Sequence, residues 1–175
     1  VLAPGAQQQE LAARPVDAWF KHSPGKRTAT FCRDKTHAAE VVADYQREGV
    51  PAALLCDSTP DRERRRLLGS KREPGACARG EVLILVCAQL LRQGIDLPEL
   101  EVIQLARNVG STPLYRQAVG RGARPCPWIG KTFCDVHDLH GAVHVCGMPD
   151  HPIEWFLDDR GCQFLAALPP CVMCK

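Results

Sequence analysis

A layered α/β domain built on a mostly parallel sheet is the fold class that this sequence predicts. Three observations carry it. Segments of β-favouring composition alternate along the chain with segments of helical periodicity, the order that lays helices over the faces of a parallel sheet. The most apolar run, Glu81-Val-Leu-Ile-Leu-Val-Cys-Ala88, is short, β-branched and not amphipathic, which suits a central strand covered on both sides. A chain of 175 residues with 45% apolar and 24% charged side chains has the length and composition of one domain with a buried core.

The elements follow in order. Residues 1–14 are polar and Gln-rich, and read as a lead-in. Residues 16–22 form a short helix stopped by Ser23-Pro24-Gly25, and 28–32 (TATFC) a strand. Asp34 or Thr36 caps the next helix, where Ala38, Val41, Val42 and Tyr45 recur at i, i+3, i+4, i+7 and share a face. Gly49 ends it, and 52–56 is a second strand. Thr59 as N-cap and Pro60 at the first helical position start a helix carrying Arg62, Arg64, Arg65 and Arg66, whose plain reading is a solvated face. Residues 69–80 are expected to be a loop, 81–88 and 101–106 strands, and 132–136 a fifth strand. Between the last two, Ser111 or Thr112 caps a helix running through 114–119. The organisation predicted is a lead-in at 1–14, a domain at 15–140 and an extension at 141–175 that holds a CxxC pair.

Charge and cysteines narrow the classes. A net charge of +2, from 22 basic and 20 acidic residues, excludes a uniformly basic nucleic-acid coat but leaves room for a local basic face. No apolar run approaches the roughly 20 residues that span a bilayer, and no signal peptide is visible, so no membrane partner is expected. Among the ten cysteines, Cys32, Cys56, Cys87, Cys126 and Cys134 sit in or beside apolar, strand-like runs. They read as buried free thiols of a reduced, cytoplasmic protein. The first residue is Val1 rather than Met, and a fragment of a longer chain is expected.

Two segments carry chemistry. In Gly94-Ile95-Asp96-Leu97-Pro98, glycine permits an irregular strand end, and the Asp96 carboxylate can accept from a ribose hydroxyl or order the next loop. In Tyr115-Arg-Gln-Ala-Val-Gly-Arg-Gly-Ala-Arg124, Arg121 and Arg124 lie at i and i+3 on one helical side, with Gly120 leaving room beside them. Two converging guanidiniums suit phosphoryl oxygens; a solvated basic helix end is the plainer alternative.

Taken in order, the strand TATFC, the strand AALLC, the run EVLILVCA, GIDLP, the strand EVIQLA and QAVGRGAR resemble the C-terminal RecA-like lobe of a superfamily 2 helicase, of the DEAD/DEAH type common in bacteria and their phages. The resemblance covers roughly Asp17 to Asp158. Gln117-x-x-Gly120-Arg121-x-x-Arg124 matches all four positions of that family's motif VI, and Gly94-Ile95-Asp96 the end of its motif V. The fold it implies is a RecA-like, P-loop-NTPase-type three-layer domain followed by a His/Cys-containing tail. It implies Arg124 as an arginine finger, Arg121 at the γ-phosphate of ATP, Gln117 seating the nucleotide, Asp96 at the ribose, and Gly94 and Gly120 shaping the site. DNA or RNA would cross the top of the lobe near Arg33 and the start of motif V, where Arg92 and Gln93 replace the usual Thr-Glu. Such contacts go mainly to backbone phosphates.

The phosphate-cradling loop and the acid that holds Mg2+ belong to an N-terminal lobe in the same or another chain. Gly130-Lys131-Thr132 mimics the end of a phosphate-binding loop, but strand-like residues follow where such a loop opens a helix. It reads as a turn before a strand. The isolated chain is therefore expected to bind ATP weakly and hydrolyse it negligibly. In the tail, Cys171 and Cys174 have the spacing of half a Zn2+ site, with a second pair beyond Lys175 or with Cys162 and a histidine closing it. His137, His140 and His144 read as polar surface residues in strand or turn. The function expected is the second motor lobe of an ATP-dependent helicase or translocase. The alternatives are a non-catalytic nucleic-acid or protein-binding module, or a zinc-binding module.

Overall fold

The structure, a computed structural model, describes residues 13–70, 73–88, 96–150, 153–155 and 162–164. Its elements are α1 (Pro15–His22), β1 (Thr28–Cys32), α2 (Lys35–Arg47), β2 (Ala52–Leu55), α3 (Asp61–Leu68), α4 (Ala76–Arg79), β3 (Ile84–Ala88), β4 (Val102–Ala106), α5 (Thr112–Gly122), β5 (Asp135–Asp138), α6 (Ala142–Cys146), β6 (Ile153–Trp155) and β7 (Cys162–Phe164). The first five strands form one all-parallel sheet in the order β2-β3-β1-β4-β5; β6 and β7 pair separately as an antiparallel ribbon.

Strand alternation sorts the core into two layers. Leu85 and Cys87 of β3, with Ala29 and Phe31 of β1 and Ile103 and Leu105 of β4, pack beneath Leu67, Ala76, Tyr115, Ala118, Ala142 and Cys146. Ile84, Val86 and Ala88 face the other way, against Val16 and Trp19 of α1 and Ala38, Val41 and Tyr45 of α2. Every residue of β1, β3 and β4 is buried, as a strand covered on both faces requires. After β1 the chain turns through α2 to the β2 side; after β4 it turns through α5 to the β5 side. Adjacent β1 and β4 thus send their connections in opposite directions. The crevice outside their carboxyl ends is the place where open α/β sheets bind ligands.

Several expectations need correction. Residues 69–80 are not only loop, because α4 folds there behind a short antiparallel bridge from Gly69 to Pro74. The fifth strand lies at Asp135–Asp138 rather than 132–136. Thr59 does not cap α3: the N-cap is Pro60, and the Thr59 hydroxyl instead accepts from the Cys56 N–H at 2.9 Å, closing the end of β2. Asp34 does cap α2, accepting from His37 N–H at 2.8 Å. His144 lies in a helix rather than in strand or turn: α6 starts after Gly141, which adopts φ +70° at its N-cap.

His137 is buried rather than a surface residue, and it closes a polar chain under α1. Gln104 Oε1 accepts from Thr30 Oγ1 at 2.7 Å and from Tyr45 OH at 2.8 Å, while Gln104 Nε2 donates to the Pro15 carbonyl at 2.9 Å. The same amide lies 3.1 Å from His137 Nδ1, so that nitrogen is the acceptor and Nε2 carries the proton toward Ser23 Oγ, 3.1 Å away. Ser23 then donates to Asp135, which also holds Lys26 at 2.6 Å. This ties α1 to the sheet. It is no nucleophilic triad, because Ser23 is fully buried and its hydroxyl proton is committed to Asp135.

Candidate functional site

α5 delivers the arginines. Pro113 lies in its first turn, where a missing N–H costs nothing. Ser111 is the N-cap but forms no side-chain cap bond; only its carbonyl serves, accepting from Tyr115 N–H at 2.9 Å. Tyr115, Ala118, Val119 and Gly122 are buried, which leaves Gln117 and Gly120 exposed. Ala123 keeps right-handed helical dihedrals, φ −72° and ψ −6°, so the helical track runs on towards Arg124. Gln117, Gly120, Arg121 and Arg124 then follow one another at i, i+3, i+4 and i+7 on one side.

The two arginines differ in setting. Arg121 is buried; burial, with the nearby Arg124 acting in the same direction and Cys87 opposing, pulls its pKa below the ordinary value. A guanidinium keeps its charge there nonetheless. Arg124 is half-exposed and pairs with the Asp96 carboxylate. That ion pair joins the two segments singled out in the sequence. With side chains 48% and 74% exposed, it is worth at most about 1 kcal/mol and exchanges readily with a competing partner.

The glycines behave unequally. A Cβ on Gly120 would meet nothing within 4 Å, so the space beside it is open to an incoming group. On Gly122 a Cβ would collide with Cys134 Sγ and come within 2.7 Å of Ile103 Cγ1 in the sheet. The need for glycine at Gly122 is invisible in the sequence, since β4 and β5 impose it from a distance.

Arg33 stands just beyond β1, at the crevice. It is exposed and pairs at 2.8 Å with Asp34, whose carboxyl it holds below the usual range with help from the His37 N–H. Gly94, Arg92 and Gln93 lie outside the described residues, as do Cys171 and Cys174. Among the described residues, no group of three or more His, Cys, Asp or Glu could hold a metal ion. His137 in particular is engaged through both ring nitrogens. A groove of about 980 Å³ runs beside the edge strand β5, between α1 and residues 138–150; Asp96, Gln117, Arg121 and Arg124 do not line it.

Lys131, in the turn expected from the sequence, makes a contact that no local pattern signals. Its Nζ donates to the Pro98 carbonyl at 2.8 Å, two residues past Asp96. No helix opens at Thr132, in keeping with the reading of Gly130-Lys131-Thr132 as a turn before a strand.

Residues 10–126 match the family model of the helicase conserved C-terminal domain. The chain belongs to that family. The matched span includes Arg33, Asp96, Gln117, Gly120, Arg121 and Arg124. The protein named irc3 of Schizosaccharomyces pombe, described by that name as a mitochondrial ATP-dependent helicase, is 28% identical over 161 residues, which cover 86% of this chain and 25% of that protein. The EcoKI type I restriction endonuclease subunit of Escherichia coli K12 is 28% identical over 127 residues, covering 65% of this chain and 10% of its own length. Among solved structures, the fragment of an HsdR subunit of a type I restriction enzyme from Vibrio vulnificus YJ016 superposes with a TM-score of 0.62 at 25% identity, over 82% of this chain and 29% of that one. The C-terminal domain of the DEAD-box protein Dbp5 superposes at 0.55 with 19% identity, over 70% and 68% of the two chains, a likeness of fold alone. The helicase C-terminal domain here is thus a RecA-like lobe of superfamily 2, and the chain spans about a quarter of the length of irc3. No described helix is long and apolar enough to cross a membrane.

Proposed function

We propose that this helicase C-terminal domain is the second motor lobe of an ATP-dependent nucleic-acid helicase or translocase. It works with an N-terminal lobe, in the same or another chain, that cradles ATP and its Mg2+. Arg124 is the arginine finger, Arg121 meets the γ-phosphate, Gln117 and Gly120 shape the seat, and Asp96 takes the ribose. The observation that carries this reading is the Arg124–Asp96 ion pair. It brings a finger and a ribose acceptor into contact from segments 28 residues apart in sequence, beside the buried Arg121. The chemistry follows from residue type. Guanidiniums bind phosphoryl oxygens in bidentate fashion, and a preorganised one stabilises charge that develops during transfer. Asp96 and Arg124 satisfy one another until nucleotide arrives: the phosphate then claims the guanidinium, and the ribose hydroxyls take its place on the carboxylate. Arg33, exposed at the mouth of the crevice, serves the backbone of DNA or RNA, with Arg92 and Gln93 as further contacts.

The test is Arg124→Ala in the full-length protein. ATP turnover should fall by about a thousandfold or more, while ATP affinity changes only a few-fold, because the finger acts on the transition state. Undiminished turnover would sink the assignment. If turnover is absent in both proteins while nucleic-acid binding persists, the lobe is a binding module.

A further inference from the structure

Lys131 occupies a position that a lysine rarely takes. It is 8% exposed, and its ammonium is spent on one backbone carbonyl, that of Pro98. Burying an ammonium is costly, and a carbonyl can be satisfied by water or by a neutral donor at far lower cost. Burial draws the Lys131 pKa down, while Cys134, Cys126, Glu101 and Glu99 around it push the other way and favour the charge.

The direction of the side chain is set by a closed knob. Lys131 N–H donates to the Cys126 carbonyl at 3.2 Å and Cys126 N–H to the Lys131 carbonyl at 3.5 Å, around a 3₁₀ turn at Pro127–Ile129. Gly130, at φ +71°, reverses the chain there. This knob starts two residues after Arg124. The loop carrying Asp96 is therefore gripped twice by one short segment: at Asp96 by Arg124, and at Pro98 by Lys131. The first contact is exposed and exchangeable; the second is partly buried and rests on a buried lysine.

We propose that Lys131 is a positioning residue of the nucleotide site. It fixes the Asp96 loop to the segment that bears Arg124, so that Asp96 stays at the ribose when Arg124 leaves it for the phosphoryl group. This deepens the reading above and rests on the ribose role of Asp96.

The experiment compares kcat/KM for ATP with kcat/KM for 2′,3′-dideoxy-ATP in the full-length protein. Asp96→Ala should bring the ratio close to one. Lys131→Met should lower it by about tenfold, the value of one hydrogen bond to a charged acceptor, chiefly through KM for ATP. Lys131→Arg, which can still donate to the carbonyl, should restore most of the ratio. A merely structural lysine would reduce both nucleotides alike; an unchanged ratio in the folded variants overturns the proposal. Should Lys131→Met fail to fold, Lys131→Gln keeps a donor without the charge and should give an intermediate ratio, with the wild-type ratio again counting against the proposal. If Asp96→Ala itself leaves the ratio untouched, the ribose assignment is what fails, and the role of Lys131 falls with it.

Discussion

Gly120 and Gly122 lie in one helix, two residues apart, and alanine at the two should act in opposite directions. At either position alanine removes backbone freedom from the unfolded chain and raises helix propensity, a gain of up to about 1 kcal/mol in a helix interior. Gly120 has open space around its missing Cβ, so the gain is realised in full. At Gly122 the new methyl would sit 2.7 Å from Ile103 Cγ1 and would strike Cys134 Sγ. The cysteine can turn away. Ile103 cannot do so cheaply, because it is fully buried in β4 between two other strands. Overpacking of this kind costs about 1–3 kcal/mol, and the helix-terminal position of Gly122 weakens the propensity gain. The net expectation is about 1–2 kcal/mol of destabilisation for Gly122→Ala and about 0.5–1 kcal/mol of stabilisation for Gly120→Ala. In thermal unfolding followed by circular dichroism, the two Tm values should separate by about 3–12 °C, on a scale of about 2–4 °C per kcal/mol for a domain of this size. Gly122→Ala melting at or above Gly120→Ala would refute the packing argument. Gly120→Ala should nevertheless lower ATP turnover in the full-length protein, because the room it fills is the room the incoming phosphate needs; stability and activity would then part company.

Other expectations follow from the buried groups. Burial lowers the pKa of His137 and of His140, so the unfolded chain binds protons more readily than the folded one. Stability should be fully present above the unfolded value of about 6.5 and decline as pH falls below it, a slope visible in urea titrations at pH 7.5 and 5.5 and reduced in His137→Gln. Gln104→Leu strands the partners of one amide at once and should cost about 2–4 kcal/mol, whereas Tyr45→Phe removes a single hydroxyl and should cost about 1 kcal/mol; equal losses by chemical denaturation would contradict the network as described. Burial pushes the Cys32 and Cys77 thiols up to about 12, so they should resist alkylation at pH 8 until the chain is unfolded, and rapid modification in the native protein would contradict their burial.

Much of this was readable from the residues. An alternating order of elements and a short, unbroken apolar run imply parallel strands, because a strand buried on both faces lacks polar alternation. The i, i+3, i+4, i+7 spacing of Gln117, Gly120, Arg121 and Arg124 implies a shared side, because helical pitch is a local property. Caps were less legible. Thr59 has the look of an N-cap, yet its hydroxyl is claimed by the end of β2, and Ser111 contributes only its carbonyl to α5. A cap competes with every other donor and acceptor nearby, and those arrive through the fold.

What the sequence determined by itself is local: the helical track that carries two arginines, and the character of Lys131 as part of a turn. What only the tertiary structure decided is which distant groups meet. Arg124 finds Asp96, Lys131 finds Pro98, Gln104 finds His137 on the neighbouring strand beneath α1, and Gly122 is held to glycine by Ile103 and Cys134. The physical reason is one of range. Propensity and periodicity act over a turn of helix or a few residues of strand, whereas each of these contacts depends on strands being brought into register from far apart in the chain.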